Sequence, residues 1–184
     1  MPILAQEPSV YPENLLTELA TGDDRRDWWA VYTKPRQEKS LARQLVQLQV
    51  PFYLPLIPKT NIIKGRKTRS YLPLFGSYMF LFGSDLERAS ALGTDRILQT
   101  LAVPGRDEMT ADLCHVHRLI EEGSPLSVES RLAPGQRVRV KSGALMGVEG
   151  LVVSRRGEDR LIIAVRFLQQ GVSITIQDFQ VEPI

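Results

Sequence analysis

Cysteine is nearly absent from this chain: Cys114 stands alone among 184 residues. A single cysteine excludes an internal disulfide framework and fits a reducing compartment, here the cytoplasm. Histidine is scarce as well, with only His115 and His117. With Cys114 they could supply at most three metal ligands. On a helix the two imidazoles would diverge by roughly 200°, at about 100° per residue. No metal and no cofactor are therefore expected. No apolar run approaches the roughly 18 residues of a membrane span. No basic segment followed by an apolar one opens the chain, so neither a secretion signal nor a membrane partner is read. A phosphate-cradling glycine loop and a nucleophile–base pairing are missing too, which argues against an enzyme.

The net charge of +2 is small but unevenly spread. Residues 1–27 carry six acidic and two basic side chains, residues 28–122 nine acidic and thirteen basic, and residues 123–184 six and eight. An acidic leader thus precedes a basic middle, and a basic middle suggests a polyanion nearby. The leader has three prolines and little periodicity, and it reads as a mobile tail.

Order is expected from Trp28. Residues 28–33 (WWAVYT) form a strand by composition. Pro35 suits the first turn of a helix, on which Leu41, Leu45 and Leu48 make a buried stripe. The opposite face carries Arg36, Lys39, Arg43 and Gln47 in one row. Residues 50–56 form a short strand bounded by prolines. Residues 59–69 (KTNIIKGRKTR) hold five cations and no acid around Gly65. They read as a β-hairpin whose basic tip, Lys64, Arg66 and Lys67, can touch phosphates without reading sequence. The most aromatic run, residues 72–82 (LPLFGSYMFLF), follows as a central, two-sided strand, either core on both faces or, where one face is only partly covered, an aromatic patch for a partner. Ser84 and Glu87 make a capping box for a short helix. Residues 96–103 form a strand, and Thr110 caps a last helix with Leu113, Val116, Leu119 and Ile120 buried. Mixed order with hairpins predicts an α+β domain, an antiparallel sheet flanked by helices.

Residues 122–132 lack core periodicity and read as a linker. Beyond it, alternating segments at 136–140, 151–153, 160–167, 172–176 and 179–182 predict a small five-stranded β-barrel. Gly143, Gly147 and Gly150 oppose a helical alternative at a cost of roughly 1 kcal/mol each.

Two signatures coincide on these residues. Residues 134–153 (PGQRVRVKSGALMGVEGLVV) resemble the KOW motif, a small SH3-like barrel. Residues 28–38 (WWAVYTKPRQE) followed by 73–80 (PLFGSYMF) resemble the N-terminal (NGN) domain of NusG-type transcription elongation factors. The Lys34–Glu38 segment is closer to RfaH-type specialised paralogues than to housekeeping NusG. Gly76 stands where the family usually has proline, and Leu145 where it usually has an aromatic. The resemblance covers residues 28–184 and, after the acidic leader (1–27), implies an NGN-like domain (28–121), a linker (122–132) and a KOW domain (133–184). It implies a non-catalytic, monomeric bacterial elongation and antitermination factor. The first domain would dock on the RNA polymerase clamp through Tyr32, Phe75, Tyr78 and Phe80. Lys34, Arg36, Arg43, Gln44 and Gln47 would face nontemplate or upstream DNA. The KOW domain would recruit ribosomal protein or Rho. A housekeeping NusG-type factor and a translation-associated KOW protein are the alternatives; the second would be expected to be strongly basic, and this chain has an acidic leader.

Overall fold

A computed structural model describes residues 7–18, 25–63, 65–123, 125–129, 134–155, 158–176 and 181–184. The chain divides into two compact units, Met1–Arg106 and Asp107–Ile184.

The first unit contains β1 (Val10–Tyr11), α1 (Leu15–Glu18), β2 (Asp27–Thr33), α2 (Glu38–Gln47), β3 (Phe52–Tyr53), β4 (Leu56–Ile63), β5 (Arg66–Pro73), β6 (Tyr78–Gly83), α3 (Asp85–Leu92) and β7 (Ile97–Ala102). Five of the strands form an antiparallel sheet in the order β1-β3-β6-β2-β7. The aromatic strand β6 is its centre, as its two apolar faces require. One face presents Val31, Met79, Leu81 and Phe52 to Leu41, Ala42 and Leu45 of α2. Complete burial of each of these leucines is worth about 1.5–3 kcal/mol. The other face carries Trp28, Ala30, Phe80 and Phe82, all buried. Strands β4 and β5 leave this sheet as a separate two-stranded ribbon.

Two expectations change here. Helix α2 starts at Glu38, three residues after Pro35, because Arg36 adopts a left-handed φ of 61° that a helix cannot include. The leader is not mobile over residues 7–18. Leu54 N–H donates to the Ser9 carbonyl at 2.6 Å, Val10 and Tyr11 pair with Tyr53 and Phe52, and Leu15 and Leu16 are buried.

The second unit contains most of α4 (Arg106–Glu122), then β8 (Ser127–Glu129), β9 (Gln136–Val140), β10 (Glu149–Arg155), β11 (Glu158–Val165), a 3-10 turn (Arg166–Leu168), β12 (Gln170–Thr175) and β13 (Val181–Pro183). The strands form one antiparallel sheet in the order β13-β9-β10-β11-β12-β8. Val138, Val140, Leu161, Ile163, Val172 and Ile174 supply its core. Two glycines of the 143–150 segment have distinct reasons. Gly147 has φ +84°, and a Cβ on Gly150 would lie 2.5 Å from the Ile162 carbonyl oxygen.

Helix α4 begins at Arg106 rather than being capped by Thr110, because Gly105 (φ +78°) turns the chain directly into it. The units also divide ahead of α4 rather than at 122–132. Asp112 of α4 accepts from the Arg166 N–H at 3.0 Å, and Arg118 donates to the Ala144 and Met146 carbonyls at 3.1 and 2.8 Å. The expected linker contains β8, which pairs with β12 and makes a sixth strand. The Ser173 hydroxyl donates to Glu129 at 2.7 Å and fixes that pairing. Residues 179–180, half of the expected closing strand, lie outside the described residues.

Candidate functional site

Tyr32 and Tyr78 lie opposite each other on β2 and β6, with ring centroids 5.1 Å apart. Tyr32 is 37% exposed and Tyr78 is half-buried. A register shift between β2 and β7 at Tyr32/Thr33 bends the strand where this pair emerges. Phe75 and Phe80, expected in the same exposed patch, are buried instead, at 1% and 0% exposure. The reason is the loop ahead of β6. It turns Phe75 inward, edge-on to Phe80 at 6.3 Å. The Leu74 N–H donates to the Pro55 carbonyl at 2.8 Å, and the Thr33 N–H to the Ser77 carbonyl at 2.8 Å. Ser77 has φ 61°, and its own N–H donates to the buried Glu38 carboxylate at 2.9 Å. The surface patch is therefore the tyrosine pair alone, and the two phenylalanines belong to the core. Glu38, in the first turn of α2, is a site-shaping residue that sequence reasoning passed over.

The residues expected to face DNA are only partly assembled. Lys39, Arg43 and Gln47 share a face of α2, whereas Arg36 precedes the helix and is exposed on its own. Lys34 pairs with Asp95 at 2.8 Å, and this hydrogen bond and charge hold the Asp95 carboxyl below the usual carboxylate range. Gln44 accepts from Nε of Arg96 at 2.9 Å, while the same guanidinium donates to Gln37. Asp95 and Arg96 had no signal in the sequence, since both lie 52–61 residues along the chain from the side chains they meet. A cavity of about 440 Å³ opens between α2 and the end of α3, lined by Gln44, Gln47, Leu48, Ser90, Gly93 and Thr94. Its lining mixes amide and hydroxyl groups with apolar Leu48.

The basic ribbon forms as expected, turning at Gly65 with φ +75°. Lys67 lies opposite Ile62, and Arg69 opposite Thr60 with its guanidinium 5.6 Å from the Tyr71 ring centroid. One side of the ribbon thus interleaves cations with apolar and aromatic groups. Lys64 and the Arg66 side chain lie outside the described residues.

In the second unit, a cavity of about 390 Å³ is lined by Asp112 and His115 of α4 and by Arg137, Glu149 and Arg166. The Arg166 guanidinium donates to Asp112 at 2.8 Å, and that of Arg139 to Glu149 at 2.6 Å. Burial holds the His115 imidazole below its ordinary pKa and pushes the Cys114 thiol up. Among the described residues no group of histidine, cysteine and carboxylate side chains could hold a metal ion, and no helix is long and apolar enough to cross a membrane.

The first unit thus exposes an aromatic pair, a cavity of mixed polarity and a basic ribbon. Residues 26–105 match the family model described as transcription termination factor nusG, a span that ends where the first unit ends. Residues 26–105 form a NusG-family domain, and this match supports in general a role in transcription elongation.

Proposed function

We propose that this chain is an RfaH-like specialised antitermination factor of bacteria, acting without catalysis in the cytoplasm as a monomer. Tyr32 and Tyr78 dock on the polymerase clamp, and Phe75 and Phe80 belong to the core. Lys34, Arg36, Arg43, Gln44 and Gln47 line the path of nontemplate DNA, and Lys64, Arg66 and Lys67 on the ribbon reach upstream DNA. The domain from residue 133 onward is a KOW barrel that recruits a ribosomal protein or Rho. The observation that carries this reading is the exposed Tyr32–Tyr78 pair at 5.1 Å within the segment that matches the family. Aromatic pairs of this kind offer large contact area at low entropic cost, which suits an interface anchor.

Equilibrium binding of the full-length protein to purified core RNA polymerase tests the proposal. A Tyr32→Ala/Tyr78→Ala variant is expected to bind at least tenfold more weakly than wild type, the effect of losing interface anchors worth about 2 kcal/mol or more. Binding equal to wild type would remove the pair from the interface.

A further inference from the structure

The family match begins at residue 26, so the ordered leader over residues 7–18 is an addition to it. The leader is held at several points on β3 and its flank. The Leu54 N–H donates to the Ser9 carbonyl, and the Ser9 hydroxyl donates back to the Leu54 carbonyl at 2.8 Å. Val10 and Tyr11 extend the sheet, and the Tyr11 ring stacks on Phe52 at 6.4 Å. With Ser9 fixed, Glu7 has little freedom. Its carboxylate lies 2.6 Å from Nη1 of Arg43, on the α2 face that also carries Lys39 and Gln47. Among the described residues, Lys39 has no ion-pair partner within 4.0 Å, so Glu7 engages one cation of this face and leaves the other open.

An oxygen anion at that distance from a guanidinium occupies the position a phosphate oxygen would take. We infer that Glu7 is an intramolecular stand-in for a nucleic-acid phosphate, held on Arg43 by strand β1, so that the leader competes with DNA for the basic face of α2. The inference rests on the proposed contact between α2 and DNA. Two opposing effects set its strength. The short tether keeps the carboxylate at high effective concentration. The pair is exposed, with the Arg43 side chain 53% accessible, and exposed pairs are weak and screened by salt. The leader is therefore a graded brake on DNA binding and not a block. DNA exchanges one carboxylate contact for a phosphate, while β1 stays paired.

Fluorescence anisotropy of a labelled single-stranded DNA oligonucleotide with the full-length protein, across a series of NaCl concentrations, tests this. Glu7→Gln is expected to tighten binding by about two- to fivefold at low salt, the range an exposed ion pair allows. The gain should fade as salt rises, because added salt already screens the competing ion pair in wild type. Arg43→Gln should weaken binding, and Glu7→Gln should have no further effect in that background. Unchanged affinity for Glu7→Gln across the salt series, with Arg43→Gln weakened, would overturn the brake and leave the DNA reading standing. No effect of Arg43→Gln would instead remove α2 from the DNA interface, and the brake with it. Both positions are surface side chains, and circular dichroism verifies that each variant keeps its fold.

Discussion

The Ser77 N–H donates to the Glu38 carboxylate at 2.9 Å, joining the start of α2 to the loop that precedes β6. This bond spans 39 positions of chain and orients the turn that sends Phe75 inward and Tyr78 outward. Glu38 is only 7% exposed, so removing its carboxylate orphans a donor in a place water scarcely reaches. Glu38→Ala is expected to destabilise folding by about 1–3 kcal/mol and also to weaken polymerase binding by misplacing Tyr78. Glu38→Gln, which keeps an acceptor, should recover part of both. Denaturant melts and polymerase titrations of the two variants read the effects; equal behaviour of Ala and Gln would mean the bond does not set the loop.

Phe80 and Tyr78 share a face of β6 yet should fail in opposite ways. Phe80 is fully buried against Phe75, so Phe80→Ala opens a core cavity and should cost about 3–5 kcal/mol of stability. Tyr78→Ala truncates a half-exposed ring and should leave the melting transition nearly in place while lowering polymerase affinity. A Phe80→Ala variant that melts like wild type would contradict the buried position of this ring.

The distinction between those two residues was not legible from periodicity. Alternation assigned Tyr78, Phe80 and Phe82 correctly to one face and made β6 the sheet centre, because a two-sided apolar run has nowhere else to go. What alternation cannot report is how far along the strand the cover extends. That is decided by a loop whose conformation depends on Ser77 at φ 61° and a carboxylate distant in sequence. Arg36 escaped for a similar reason: a left-handed non-glycine residue has no compositional mark, so α2 seemed to begin at Pro35. The leader and the linker were misjudged because β1 and β8 have two and three residues, too few to show a period. Local chemistry with a fixed spacing fared better, and the Ser84/Glu87 capping box stands where it was read.

That capping box carries a pH dependence. Burial works to raise the Glu87 pKa, but hydrogen bonds from the Ser84 N–H and hydroxyl, with the Arg26 guanidinium at 3.0 Å, outweigh it and hold the carboxyl below its ordinary value. A depressed folded-state pKa means that Glu87 stabilises the fold above its unfolded pKa, near 4.3, and that this contribution fades as the pH drops through the folded value. Glu87→Gln should therefore lose about 0.5–2 kcal/mol at neutral pH, and the gap to wild type should narrow in acid. Thermal melts of both proteins from pH 7 down to about 3 check the sign.

The basic ribbon makes a separable prediction. Replacing Lys64, Arg66 and Lys67 with glutamine is expected to leave stability within about 0.5 kcal/mol. DNA affinity in the elongation complex should fall, and its salt dependence should flatten by roughly 2–3 in log–log slope if all three meet duplex phosphates. An unchanged slope would detach the ribbon from DNA.

The last prediction concerns α4, which Asp112 joins to the second sheet. Asp112 accepts from the Arg166 N–H at 3.0 Å and from its Nη2 at 2.8 Å, and its side chain is 10% accessible. Arg166 opens the 3-10 turn that leads β11 into β12, so one carboxylate ties the helix to the corner of the sheet. The guanidinium is half-exposed, which weakens the charge–charge part of the contact, whereas the backbone N–H depends on Asp112 for its acceptor. The two parts can be separated. Arg166→Gln removes the guanidinium and should cost under about 1 kcal/mol, the range of exposed pairs. Asp112→Ala also orphans the N–H and should cost about 1–3 kcal/mol. Asp112→Asn retains an acceptor for the N–H and should fall between them. Denaturant melts rank the three variants, and hydrogen exchange at the Arg166 amide should accelerate in Asp112→Ala but not in Arg166→Gln. If Arg166→Gln costs as much as Asp112→Ala, the guanidinium carries the contact, and the backbone bond contributes little to holding α4.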